Sequence, residues 1–318
     1  MSVTHHLLLP YAAASAPECQ AVLAQLPLPN LRALLPLLSE QPADRGDDHR
    51  LSPPHERALA RALGLPATDG QVPWAAAQSD DPATPQAWFS LCHYQVGMDQ
   101  VTLLPGAQLG LDANDSRALF DAFEPLCAED GLRLRWDSPT EWHASGEPLR
   151  ELVCASLDRV SGRSVDAWLA DSPANPAGAR LLKRLQSEAQ MLFYTHPVHD
   201  ARTARGLLPV NGFWVHGAGA LGGPLASGEA PQMPDTLRQP ALRGDWAAWQ
   251  AAWVEIDRQH IAALLASAQR GEAVTLTLCG ERHARCWTST PAGGLARLGR
   301  SLRRLLATPA VAGILKDL

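Results

Sequence analysis

The chain has 318 residues and a formal net charge of −6, with 46% apolar and 19% charged residues. Its length and composition exclude wholesale disorder, and its negative charge argues against general nucleic-acid binding, which favours a basic face. No apolar run reaches the roughly 18–20 residues that a membrane span needs. The six cysteines form no CxxC pair, which argues against zinc ribbons and redox dithiols. We expect a cytoplasmic protein without membrane contact.

The first half of the chain alternates predicted strands and helices. An apolar run at 5–9 predicts a first strand, and a helix is predicted after Ser52. Residues 66–86, rich in Pro, Asp, Ala and Gln, predict a surface excursion. Asp112 is the predicted N-cap of a long helix. Further strands are predicted at 88–96, 100–104, 132–136 and 141–144.

The second half follows a strong turn signal, DSPANPAG, at 171–178. We take it as a linker between an N-terminal α/β region, 1–170, and a C-terminal α/β region, 179–318. Helices are predicted at 179–194, 246–270 and 295–306, and strands at 207–216, 274–279 and 283–289. Because strands and helices are interleaved, the predicted fold class is α/β or α+β, a mixed sheet flanked by helices.

Residues 186–219 hold the densest polar chemistry of the sequence. A residue before proline is driven out of the α conformation, so His196 is predicted to end a helix. Arg202 and Arg205 share a face of a helical turn, and paired guanidinium groups suit a phosphate or carboxylate. Asn211 lies in an apolar run and needs a partner that a ligand can supply. The candidate ligand-binding residues are His196, His199, Asp200, Arg202, Arg205, Asn211, Trp214 and His216.

Each of these features has an alternative interpretation. The arginines could pair with Asp200 and need no ligand. Acids and imidazoles in the segment 47–56 could ligate a divalent metal or form a solvated loop before a helix; they are Asp47, Asp48, His49, His55 and Glu56. A stripe at helical spacing predicts core or interface packing; it comprises Trp246, Trp249, Trp253 and Ile256. The sequence has no GxSxG, GxGxxG or P-loop motif.

Residues 196–219, HPVHDARTARGLLPVNGFWVHGAG, resemble a segment of archaeal-type cofactor-independent phosphoglycerate mutases that reads HPVN…R…G…PAN-x-IW-x-WG-x-G. His199 and His216 depart from that pattern. Over most of residues 5–218 the chain is similar to the bacterial regulatory proteins of the RpfE type. The stretches that carry this similarity are HHLLLPYA, LSPPHERALARALG, SLDRVSGRSVDAWL and LLKRLQSEAQMLFYTHPV.

The resemblance implies a degenerate alkaline-phosphatase-like core. Mutases of that superfamily use two divalent metals and a nucleophilic serine, and an aspartate after their first strand ligates metal. This chain has Pro10 and Tyr11 at that place and no late Asp-His pair. We therefore expect no metal and no cofactor. The expected function is regulation or ligand binding, with an anionic small molecule or a protein as the partner.

Two other functions stay open. An active metal-dependent phosphoglycerate mutase or phosphatase would need a rearranged site containing Mn or Zn. Its nucleophile candidates are Ser52 and Ser156, and its metal-ligand candidates are His49, His55, His196 and His199. A protein–protein interaction module without a small ligand would use the Trp-rich helix at 246–270 as its binding face.

Overall fold

The computed structural model describes residues 5–223, 230–289 and 311–318, and the chain forms two compact units. Unit 1 comprises residues 1–48, 53–63 and 227–318, and unit 2 comprises 49–52 and 64–226. The predicted linker at 171–178 lies inside unit 2, so the structure divides the chain differently from that prediction. The turn formers there have a local role, because Asn175 Oδ1 accepts a hydrogen bond from the Gly178 amide at 2.8 Å and caps a helix.

Unit 1 is built on a four-stranded sheet with the strand order β1-β8-β9-β2. Its strands are β1 (His5–Leu9), β2 (Ser39–Glu40), β8 (Val274–Cys279) and β9 (Ala284–Thr288). β1 and β8 are parallel, with His5 opposite Val274, and the other pairs are antiparallel. The predicted first strand and the predicted hairpin near the end of the chain are confirmed.

The described helices of unit 1 are α1 (Pro17–Leu23), α2 (Pro29–Leu34), α3 (Pro54–Ala62), α9 (Arg238–Arg243), α10 (Trp246–Ile256), α11 (Ala262–Arg270) and α12 (Val311–Lys316). The helix predicted at 246–270 is confirmed as α10 and α11, joined by a π-helical turn. In that turn the Asp257 carboxylate accepts from the amides of Asn30 and Leu31, at 3.1 and 2.8 Å, and so satisfies the first turn of α2. The helix predicted at 295–306 lies outside the described residues.

The tryptophan stripe of α10 forms part of the core of unit 1. Trp249 and Trp253 are fully buried. Their indole N–H groups donate to the carbonyl oxygens of Tyr11 and Ala12, at 2.9 and 3.2 Å. Buried indoles need such partners. The stripe therefore packs the core, as predicted, and also fixes the backbone that follows β1.

Unit 2 is built on a five-stranded antiparallel sheet. Its strands are β3 (Gln86–Val96), β4 (Val101–Pro105), β5 (Arg133–Ser138), β6 (Glu141–Ser145) and β7 (Gly212–Gly219). The long strand β3 pairs with β4, β6 and β7 and is the centre of the sheet. All five predicted strands of this region are confirmed, with their ends shifted by a few residues.

The described α-helices of unit 2 are α4 (Trp74–Ala77), α5 (Ala113–Glu129), α6 (Leu157–Val160), α7 (Pro176–Thr195) and α8 (Pro197–Ala204). Asp112 caps α5 as predicted, accepting from the Asp115 amide at 2.8 Å. The prediction of a surface excursion at 66–86 is wrong for Trp74 and its neighbours, because α4 is buried against β3 and β7. None of the described helices is long and apolar enough to cross a membrane.

Candidate functional site

The predicted ligand-binding residues lie on α8 and β7 of unit 2 or directly beside them. His196 ends α7 and caps α8, and its Nδ1 atom accepts from the Val198 amide at 3.2 Å. The predicted helix end at this histidine is therefore confirmed. His199 packs edge-on against Tyr194, with 4.9 Å between ring centroids, and Asp200 is exposed.

Arg202 and Arg205 both bind one carboxylate of the protein itself. Arg202 is fully buried, and its Nη1 atom lies 3.2 Å from Asp115 Oδ2. The remaining Arg202 donors bind the carbonyl oxygens of Leu208 and Leu109, at 3.0 and 2.5 Å. Arg205 is half-exposed and reaches the same Asp115 oxygen at 2.5 Å. The arginine partner is thus Asp115, whereas the alternative drawn from the sequence named Asp200.

Asn211 and Trp214 also have partners within the protein. The side-chain amide of Asn211 accepts from the Tyr94 amide at 2.7 Å and donates to the Tyr94 carbonyl at 3.0 Å. This pair of bonds resembles one step of a β-ladder and explains a polar residue in an apolar run. The Trp214 indole N–H donates to the Ala155 carbonyl at 2.9 Å. Neither residue depends on a ligand for its hydrogen bonds.

His216 belongs to a polar cluster on one face of the unit 2 sheet. Ser90 Oγ lies 2.8 Å from His216 Nε2 and donates to Glu141 Oε2 at 3.0 Å, and the imidazole and carboxylate are 3.6 Å apart. Strand pairing explains the cluster, since Glu141 faces Ser90 across β6 and β3. Burial raises the pKa of the Glu141 carboxyl, but hydrogen bonds and charge from His216 and Ser90 outweigh that effect and lower the pKa overall.

This cluster has the residue types of a catalytic triad but a different geometry. In a triad the serine and the acid bind opposite nitrogens of the imidazole. Here the hydroxyl and the carboxylate both approach Nε2 of His216, and Ser90 is only 3% exposed. Each of the three groups has a partner inside the cluster, which therefore stabilises the sheet. Nearby, burial and then Arg135 lower the pKa of His143.

The residues named for a metal-dependent reaction have structural contacts. Ser52 Oγ accepts from the Gly70 amide at 2.9 Å, and Ser156 Oγ caps α6 through the Asp158 amide at 3.2 Å. The imidazole of His55 packs on Tyr11, with 5.3 Å between ring centroids. In the described part of the chain, no group of three or more His, Cys, Asp or Glu side chains is arranged to hold a metal ion. These donors do not fit the two-metal site that the resemblance implies.

A polar cleft lies in unit 1, at the carboxyl end of β1 and β8. We call it the carboxyl-edge cleft, and its volume is about 530 Å³. Ligands of α/β sheets bind at this end of parallel strands, where loops diverge. The polar lining residues are Ser15, Gln20, Glu40, Arg45, Glu281, Arg282, His283, Arg285, Lys316 and Asp317.

The backbone that enters this cleft is held in an unusual conformation. Tyr11, two residues after the end of β1, has a φ of 53°, in the left-handed region that residues with a side chain rarely adopt. The Ala12 amide donates to the Cys279 carbonyl at 2.7 Å, and the two indoles of α10 bind the carbonyls of Tyr11 and Ala12. Strained backbone of this kind persists where the surroundings hold it, often at functional sites.

In the carboxyl-edge cleft, acidic side chains have partners within the protein, whereas two of the basic side chains have no ion-pair partner among the described residues. Glu40 binds Arg285 at 2.8 Å, and Glu281 accepts from the Ser15 amide at 2.8 Å. By contrast, neither Arg45 nor Lys316 makes an ion pair with another described residue. The cleft therefore offers two cationic side chains to an incoming group.

Sequence inspection missed this cleft for a reason that can be traced. Its lining comes from stretches near 13–20, 40–45, 281–285 and 316–318, which no local pattern joins. One signal was present: the charged residues Glu281-Arg282-His283 follow a buried strand after a single glycine. Charged side chains directly after a strand of an α/β sheet are positioned for ligand contact.

No protein-family model matches the sequence, and no curated protein matches it. Among solved structures, the chain is similar to the cofactor-independent phosphoglycerate mutase from Thermoplasma acidophilum DSM 1728, with 13% identity, a TM-score of 0.39 and 99% of both chains covered. It is also similar to the PH0037 protein from Pyrococcus horikoshii, with 11% identity, a TM-score of 0.46, and 91% of this chain and 88% of that chain covered. Both similarities are remote.

Proposed function

We propose that the protein binds an anionic small molecule in the carboxyl-edge cleft. In this proposal it is a cytoplasmic regulatory or ligand-binding relative of the cofactor-independent phosphoglycerate mutases and lacks their two-metal chemistry. The observation that carries the proposal is the pair of cations, Arg45 and Lys316, that line the cleft without an ion-pair partner among the described residues.

The charge balance of the cleft supports an anion over a cation. Its acids are already engaged: Glu40 with Arg285, Glu281 with the Ser15 amide, and Asp317 within 4.0 Å of Arg285. A cationic ligand would have to displace those contacts. An anion could bind Arg45, whose planar guanidinium suits phosphate and carboxylate groups.

The predicted site around Arg202 is less favourable for the same ligand. An anion there would compete with the Asp115 carboxylate, which already binds both arginines. Arg202 is also fully buried and binds two carbonyl oxygens besides. We therefore place the proposed anion in unit 1 and assign the arginine pair of unit 2 to stability.

Titration calorimetry with inorganic pyrophosphate at low ionic strength tests this proposal. Arg45→Ala combined with Lys316→Ala should weaken binding at least about tenfold, because charge-assisted hydrogen bonds to the anion are lost. Arg205→Ala is the matched control and should bind like the wild type. Equal binding by the double variant, or loss of binding in the control, would contradict the proposed location.

Metal analysis tests the absence of two-metal chemistry separately. Protein purified without added metal should contain no stoichiometric Mn or Zn and should not turn over phosphoglycerate. Stoichiometric metal together with turnover would establish the enzymatic alternative in place of the proposed function.

A further inference from the structure

We infer that the segment 317–318 competes with the anion for the turn between β8 and β9, so that ligand binding releases this segment while Lys316 stays in the cleft. This inference rests on the proposed function and adds its regulation. It concerns a single feature of unit 1, the contact between Leu318 and the residues that follow β8.

The main chain of Leu318 occupies a position that suits an anionic oxygen. Its carbonyl oxygen accepts from two successive backbone amides, Arg282 at 3.3 Å and His283 at 2.9 Å. Consecutive amides that converge on one point form a concave site of positive potential, which anions favour. The turn itself is closed by a bond from the Gly280 amide to the His283 carbonyl at 3.0 Å.

Gly280 permits this contact because it has no side chain. A Cβ atom at this position would lie 2.5 Å from the carbonyl carbon of Leu318 and 2.6 Å from its oxygen. Such distances are too short for any real Cβ atom, and the opposing atoms are backbone. Since Gly280 does not have a positive φ, the close approach of Leu318 is what makes glycine necessary here.

In the described part of the chain, few hydrogen bonds anchor this segment. The Leu318 side chain is 8% exposed and packs with Leu315 in the core of unit 1. Backbone bonds from Asp317 to Gly313 and from Leu318 to Leu315 are 3.2 and 3.3 Å long. Short elements with few hydrogen bonds open at low free-energy cost.

Segment and ligand share the same part of the cleft. Lys316 and Asp317 line it together with Arg282 and His283. An anion held by Arg45 and the turn amides would take the place of the Leu318 oxygen. Because coupling between two binding events is reciprocal, a segment that lowers ligand affinity is itself released by the ligand.

Hydrogen exchange on the wild-type protein tests the inference directly. Saturating inorganic pyrophosphate should increase exchange of the Asp317 and Leu318 amides several-fold and leave those of Arg282 and His283 protected. If pyrophosphate binds in calorimetry and exchange at 317–318 is unchanged or slower, the inference is refuted while the proposed function stands. If pyrophosphate binds neither the wild type nor the variant described next, both are refuted.

Gly280→Ala provides the second test, with Gly222→Ala as its control. The alanine methyl group at 280 should push Leu318 from the turn and raise pyrophosphate affinity by a factor of about ten, since one competing contact is removed. At Gly222 a Cβ atom would meet no atom of the described residues within 4 Å, so this variant should bind like the wild type. Unchanged or weaker binding by Gly280→Ala, with exchange at 317–318 already raised, would refute the competition.

Discussion

Arg202→Met should destabilise unit 2 strongly. The substitution retains most of the side-chain volume and removes every hydrogen bond of a fully buried guanidinium. The carbonyl oxygens of Leu208 and Leu109, which now accept at 3.0 and 2.5 Å, would lose this donor. An unsatisfied buried acceptor costs about 1–3 kcal/mol. Asp115 keeps Arg205 as a partner, so we expect a total loss of about 3 kcal/mol in the free energy of unfolding.

Urea unfolding followed by tryptophan fluorescence measures this loss. Arg205→Met is the matched control, because its ion pair is solvent-exposed and its removal should change stability far less. Pyrophosphate binding by folded Arg202→Met should equal that of the wild type. The structural assignment of Arg202 would be refuted by a variant with wild-type stability that no longer binds pyrophosphate.

Three further predictions concern stability. The pKa of Glu141 is lower in the folded protein than its ordinary value of 4.5. The ionised carboxylate therefore stabilises the fold above pH 4.5, and this stabilisation is lost as the pH falls through the pKa of the folded protein. The Tm of the wild type should fall towards that of Glu141→Gln below about pH 4.5. Trp253→Phe removes the indole donor to the Ala12 carbonyl. The free energy of unfolding in urea should fall by about 1–3 kcal/mol, and pyrophosphate binding should weaken. Unchanged affinity would contradict a role for this bond in shaping the cleft. Gly212→Ala places a methyl group against the Tyr94 ring and should cost about 1–3 kcal/mol, whereas a Tm equal to that of Gly222→Ala would show that the ring moves aside.

Local elements of the fold were predictable because their signals are local. Asp112 caps α5 through an amide three residues away, and His196 ends one helix and caps the next. The division into units was not predictable in this way. β1 pairs with β8, so that His5 lies opposite Val274, and no turn signal reports a contact over that separation. The Pro-rich signal at 171–178 marks a helix start and not a unit boundary.

The candidate site also depends on contacts between residues that are far apart in the sequence. Helical spacing predicted that Arg202 and Arg205 share a face, and in the structure both bind one carboxylate of the protein. It could not identify that partner, because Asp115 is 87 residues from Arg202 in the sequence. The carboxyl-edge cleft was missed since its cations, Arg45 and Lys316, lie near opposite ends of the chain. Spacing predicts which groups act together, whereas the tertiary structure decides what they bind.

The most direct test of the proposed function is a crystal structure of the full chain with inorganic pyrophosphate. The proposed function predicts density for the anion in the carboxyl-edge cleft, within hydrogen-bond distance of Arg45 and Lys316. Density at Arg202 and Arg205, with Asp115 displaced, would contradict it. So would a structure in which pyrophosphate is absent from the cleft at a concentration that saturates binding in solution.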